Sequence, residues 1–205
     1  MTTSSDVTGV TYYFDPACPW TWRTSRWLVD VTGRNGLPLS YRAFELSDGA
    51  PLDAVPEQYR AGALASRSFL RVVEAARARG DDAMIATFYT AYGTAVHDRK
   101  TSPSRKLIEE SLTQAGGQDY LVALDDAGLD ADVAASRRAA QAFSGDEAGS
   151  PVIVLSTRAG ERGFFGPVLA PTPTGDDADL LWQIVAGFAA LPQVFEIKRR
   201  RDANP

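Results

Sequence analysis

The 205-residue sequence holds a single cysteine, Cys18, and a single histidine, His97. One cysteine cannot close an internal disulfide, which excludes a disulfide-stapled module. One Cys with one His leaves too few ligands for a structural zinc site, so no metal is expected. Long hydrophobic runs are missing: no stretch approaches the ~18 consecutive apolar residues of a membrane span. The opening "MTTSSDVTGV" has neither a basic region nor an apolar core, so no secretory leader is expected and the cytoplasm is the expected location. Excess positive charge is missing too. With 21 Lys and Arg against 26 Asp and Glu, the formal net charge is −5, which argues against a general affinity for nucleic acid. The local exception, "KRRR" at Lys198–Arg201, reads as a solvated helix end favoured by the helix dipole.

What is present is ordinary globular composition, 44% apolar and 23% charged, in a chain long enough for one domain or a domain with a large insertion. "VTYYF" at 10–14 is β-branched and aromatic and reads as a buried strand. "DPACP" breaks it. Apolar positions at Trp20, Trp27, Leu28 and Val31 then predict a helix over 19–32, closed by Gly33 and Gly36. "LPLSYRAFEL" at 37–46 alternates as a second strand, which makes a parallel βαβ unit. Between 56 and 143 no strand signal survives, and helices are expected at 57–79, 82–97, 104–115, 118–126 and 130–143. "SPVIVLS" at 150–156 and "ERGFFG" at 161–166 form a hairpin, and a last helix follows from Asp176 or Asp177 to before Pro192. The order is β-α-β, a helical block, then β-β-α. The expected divisions are 8–50, 51–147 and 148–200, within one continuous unit.

The chemistry centres on "FDPACPWTW" at 14–22. Proline suits the first helical position, because its missing N–H would have had no intrahelical partner. A helix starting at Pro19 therefore places Cys18 at the cap, facing free amides and the positive end of the dipole. Thiols so placed can titrate between about 3.5 and 7.5 instead of ~8.5. Thr21 could add a hydroxyl hydrogen bond to a thiolate. The competing reading is a small buried structural cysteine.

Strand, "DPACPW", helix and strand resemble the thioredoxin fold in its DsbA-like branch, which carries a helical block between two βαβ-type halves. The implied fold class is α/β, thioredoxin-like with a large inserted helical domain. More narrowly, "FDPACPWTWRTSRWL" at 14–28, "PEQYRAG" at 56–62, "FYTAYGTAVHD" at 88–98, "SPVIV" at 150–154, "FFGPVL" at 164–169 and "FEIKR" at 195–199 resemble the actinobacterial mycothiol-dependent nitroreductase family. The first and fifth pieces are the specific ones. The resemblance implies Cys18 as nucleophile, mycothiol as co-substrate with no tightly bound cofactor, and nitroaromatic compounds as acceptors. The partners it implies are a low-molecular-weight thiol and a small electrophile or disulfide, and it implies a homodimer. The sequence alone would not separate mycothiol from glutathione.

One departure changes the expected mechanism. The family's motif is C-P-W-C, and here Thr21 stands where the resolving cysteine would be. Nothing in the chain can resolve a mixed disulfide at Cys18, so a second small thiol must release it. The resemblance also implies a cis peptide before Pro151, packed against Cys18, with the Ser150 backbone offered as an edge for a thiol ligand. It places a functional histidine at "AVHD"; the residues themselves allow His97 as a proton donor beside a stripe of Ala86, Thr90 and Gly93, or as a surface side chain. Pro19 and Trp20 shape the sulfur's surroundings. Of Trp20 and Trp22, one is expected to line the site and the other to pack in the core. Phe165 and Gly166 form a turn beside the site, Gly166 permitting close backbone approach. Arg23 and Arg26 could attract an anionic thiol or be solvated helix charges. Two other classes stay open: a kappa-type thiol transferase or isomerase, which needs a single thiol or hydroxyl at the helix start, and a binding module without activity.

Overall fold

The computed structural model describes residues 6–200. Four strands form one sheet in the order β2-β1-β3-β4. β1 (Val7–Phe14) and β2 (Leu39–Ala43) are parallel, joined by α1 (Pro19–Asn35), which is the βαβ unit expected from the pattern. β3 (Val152–Thr157) runs antiparallel to β1 and turns into β4 (Gly160–Phe165). Helix α6 (Gly175–Ala189) follows.

Between β2 and β3 lie only helices. These are α2 (Glu57–Arg77), α3 (Asp82–Gly93), a π-helical turn (Thr94–Asp98), α4 (Arg105–Gln114), 3-10 turns at Gln118–Asp125 and Ala127–Leu129, and α5 (Asp130–Ser144). The helix expected at 82–97 thus changes winding after Gly93, and the one expected at 118–126 is 3-10. Gly33, expected to end α1, lies within it. No helix among the described residues is long and apolar enough to cross a membrane.

The two-residue period of the strands sorts the core into two faces. Val10, Tyr12, Phe14, Tyr41, Ile153 and Leu155 join the large cluster with Trp27, Leu28, Phe69, Phe88, Tyr89 and Trp182 from the helices. Tyr13, Val152 and Val154 face the other way, against Phe44 and Ala140 of α5. The helical block also closes the open edge of β2. Asp82 Oδ1 accepts the Tyr41 N–H at 3.2 Å and Glu74 Oε1 accepts the Ala43 N–H at 3.2 Å, so these two amides of that edge are paired with carboxylates.

One sequence expectation fails at the C-terminus. α6 ends at Ala189, and Lys198–Arg200 lie well beyond it in irregular backbone, so the basic run does not cap a helix. Arg201 lies outside the described residues.

Candidate functional site

α1 begins at Pro19, and Cys18 takes the cap position with extended backbone (φ −84°, ψ 115°). The loop before it is fixed by Asp15, which sits at the end of β1 and is buried. Asp15 Oδ1 accepts the Ala17 N–H and the Ser66 hydroxyl, each at 2.8 Å, and Oδ2 accepts the Leu46 N–H at 2.8 Å. One carboxylate therefore ties the Cys18 loop to the segment after β2 and to α2. Burial nevertheless pushes its pKa up, against the pull of those donors. Asp15 was not among the residues expected at the site; an acid closing a buried strand three residues before the cysteine is its signal in the sequence.

The expectation of a thiolate at neutral pH is corrected by the packing. Cys18 is only 9% exposed, and burial pushes its thiol above the ordinary value. The Thr21 hydroxyl and the Thr21 and Trp20 amides oppose this, while the Asp15 charge adds to it. The sulfur makes no cap hydrogen bond of regular geometry, but these donors lie close enough to favour the ionised form. The helix tip supplies donors as expected. Desolvation outweighs them: Cys18 occupies the N-cap position of α1 and is buried.

Thr21 is fully buried, and its hydroxyl lies 3.0 Å from that of Ser150. Ser150 Oγ also accepts the Asp15 N–H at 3.1 Å. The Ser150–Pro151 peptide is cis, as the fold resemblance implies, and so are Gly166–Pro167 and Ala170–Pro171. The Gly166 N–H donates to the Pro151 carbonyl at 2.9 Å, and Thr24 donates to the Pro167 carbonyl at 2.7 Å. The turn after β4 is thereby held between Pro151 and α1. Gly166 has φ +93°, a conformation that costs a side chain but not glycine. Phe165 is 41% exposed beside this turn. Cys18, Thr21, Ser150, Pro151 and Gly166 thus share one end of the sheet, linked by these contacts.

The two tryptophans differ in burial. Trp20 is partly exposed. Trp22, counted among the thiol-binding candidates, is buried in the core instead. Its indole stacks on His97 (centroids 5.9 Å apart, 24° between planes), carries the Arg26 guanidinium 4.0 Å from its centroid, and donates Nε1–H to Asp98 Oδ1 at 2.9 Å. A Cβ on Gly93 would fall 2.2 Å from the ring, so glycine is what lets α3 approach it. The Ala86–Thr90–Gly93–His97 stripe therefore does not offer Gly93 to a ligand. A cavity of about 410 Å³ does lie beside Ala86, Thr90 and Thr94, but none of the thiol-site residues lines it.

His97 Nε2 lies 2.9 Å from the Pro16 carbonyl oxygen. A carbonyl only accepts, so Nε2 carries the proton and donates it there. Burial lowers the His97 pKa, the Pro16 bond opposing, and the neutral ring has Nδ1 as its free acceptor. The expected proton donor is thus committed to the backbone next to the cysteine loop. Arg26 also donates to Thr90 at 3.1 Å, which makes it part of the packing. Arg23 lies 5.8 Å from the Trp20 ring. Among the described residues no three His, Cys, Asp or Glu side chains are grouped to hold a metal ion.

Comparison with known proteins adds the following. Residues 17–199 match the model of a family described as Rv2466c-like, mycothiol-dependent nitroreductase Rv2466c. The uncharacterized protein Rv2286c of Mycobacterium tuberculosis is 29% identical over 196 residues, covering 94% of this chain and 82% of that protein. A probable DsbA oxidoreductase from Streptomyces coelicolor superposes with a TM-score of 0.56 at 19% identity, covering 94% of each chain. A putative protein-disulfide isomerase from Pseudomonas syringae gives 0.51 at 15% identity, covering 89% of this chain and 99% of that one. At these identities the two structures establish the fold, thioredoxin-like with a helical insertion in the DsbA-like manner.

Proposed function

The chain belongs to the Rv2466c-like family of mycothiol-dependent nitroreductases, and from that membership we propose that it reduces small molecules with electrons from mycothiol through Cys18 alone. The observation that carries the reading is the sulfur itself, at the first turn of α1 with the Thr21 hydroxyl beside it. Cys18 and one mycothiol together give two electrons and two protons to the acceptor and form a Cys18–mycothiol disulfide. A nitro group that accepts them becomes a nitroso group and releases water. A second mycothiol thiolate attacks the mycothiol sulfur of that disulfide, forming mycothiol disulfide and returning Cys18 as thiolate. The external thiol is required because the chain holds no other cysteine.

In this reading Pro19, Trp20, Ser150, Pro151, Phe165 and Gly166 frame the thiol, Thr21 stabilises the thiolate, and His97 holds the loop through Pro16. Because burial holds Cys18 above its ordinary pKa, turnover draws on a minor thiolate fraction. The rate rises about tenfold per pH unit below that pKa.

Incubation with oxidised mycothiol followed by intact-mass measurement tests the reading. A single mycothiol adduct is expected, absent in Cys18→Ser, together with mycothiol-dependent consumption of a nitroaromatic compound that the same variant loses. No adduct and undiminished turnover in Cys18→Ser would sink it. The lone cysteine favours one second reading, a thiol transferase, which would consume mycothiol without forming its disulfide.

A further inference from the structure

We propose that the groove between α3 and the end of α4 is a second binding site, for a small organic molecule carrying one carboxylate or phosphate group. The proposal goes beyond the thiol chemistry and does not depend on Cys18. The groove offers about 410 Å³, room for a small molecule rather than a bare ion. Ala86 and Ala91 give it methyl groups, three threonines give it hydroxyls, and Arg99 and Gln114 flank it. Thr87 and Thr90 donate to carbonyls one turn back, to Ala83 at 3.0 Å and to Ala86 at 2.8 Å. Among the described residues the Thr94 hydroxyl has no such bond, so its proton is free for a ligand. No carboxylate lines the groove, in a chain whose net charge is −5.

Two guanidinium groups set the sign of the ligand. Arg99 is exposed, and among the described residues no ion pair or hydrogen bond holds its side chain. Arg26 stands behind the wall. Its Nη1 donates to Thr90 Oγ1 at 3.1 Å, its Nε donates to Ser25 Oγ at 3.2 Å, and its guanidinium carbon lies 4.0 Å from the Trp22 ring centroid. Those partners are all neutral, and Nη2 is buried with no hydrogen-bond partner. A cation drawn out of water is ordinarily met by an opposite charge, and among the described residues no carboxylate pairs with Arg26. Asp98, next to Arg99 in the chain, accepts the Trp22 indole N–H at 2.9 Å instead. Charge of one sign around a cleft concentrates counter-ions there, and the planar fork of arginine matches carboxylate and phosphate oxygens alike.

Titration of the whole chain with phenyl phosphate, benzoate and neutral benzyl alcohol, followed by amide NMR shifts, tests the proposal. At least one of the two anions is expected to bind saturably, with shifts centred on Thr90, Thr94, Arg99 and Gln114, and the tighter of them names the anionic group. Benzyl alcohol is expected not to saturate. Arg99→Gln is expected to weaken the anion about tenfold, as the loss of a charge-assisted bond does. Arg138→Gln, at an exposed arginine of α5, is expected to change nothing. Cys18→Ser is expected to bind as the parent does. Absence of saturable binding by either anion, equal binding of benzyl alcohol, equal loss in the two arginine variants, or loss in Cys18→Ser overturns the proposal. Should Arg99→Gln fail to fold, Thr87→Leu fills the groove from an exposed position and is expected to weaken the same anion; undiminished binding in that variant overturns the proposal.

Discussion

Asp15 illustrates how much a single residue decides here. Its carboxylate gathers two amides and a hydroxyl around the cysteine loop, and its own amide orients Ser150. Cys18 was legible because a strand, a break and a proline mark a helix start. Its burial was not, since exposure is set by tertiary packing and not by the local sequence. His97 was legible as a candidate because it is the lone histidine, beside a stripe of small residues, and matches the family's pattern; its bond to Pro16 was not, since it joins residues 81 positions apart. Thr21 gives the sharpest test at this scale. Thr21→Cys restores the family's motif at a position one helical turn from Cys18. Mild oxidation is expected to give an internal disulfide, read as a two-dalton mass loss, and to remove the need for a second mycothiol at the resolving step. Two free thiols after oxidation would contradict the geometry.

At the scale of elements, the helical block does more than separate the halves of the sheet. Glu74, 1% exposed, accepts the Ala43 amide and pairs with Arg77 Nε at 2.6 Å, so α2 closes the β2 edge with a charge. Glu74→Ala removes the acceptor and leaves a buried amide unpaired, with an expected cost of about 3–5 kcal/mol. Glu74→Gln keeps a carbonyl oxygen for that amide and is expected to cost about 1 kcal/mol. Denaturant unfolding of the two variants checks the difference; equal losses would mean the edge contact is unimportant. α1 was readable from its helical apolar spacing, and β1 and β3 from runs of β-branched and aromatic residues that are buried on both faces. The π turn at 94–98 was not. It brings His97 to the Pro16 carbonyl and Asp98 to the Trp22 indole, contacts that local helical spacing does not encode.

For the molecule as a whole, the single histidine makes a clean pH probe. Burial holds the folded-state pKa of His97 below the ordinary ~6.5. Below about pH 6.5 the unfolded chain takes up a proton that the folded chain resists. The stabilisation is therefore full above that pH and is lost as pH falls toward the folded value. Asp15 has the opposite sign: its raised pKa favours folding at acid pH and is lost as pH rises. The Asp15 contribution cancels when His97→Gln is compared with the parent. The advantage of the parent in unfolding free energy is expected to shrink between about pH 7.5 and 5; an advantage independent of pH would show that His97 does not titrate with folding. The sequence by itself determined the order of elements, the helix that begins at Pro19 and the lone sulfur before it, because periodicity, proline and the count of cysteines are local facts. Only the tertiary structure decided that the sulfur is buried, with its pKa pushed up by that burial, that the Thr21 and Ser150 hydroxyls meet, and that His97 bonds the Pro16 carbonyl. Those outcomes depend on desolvation and on donors contributed by segments far apart in the chain.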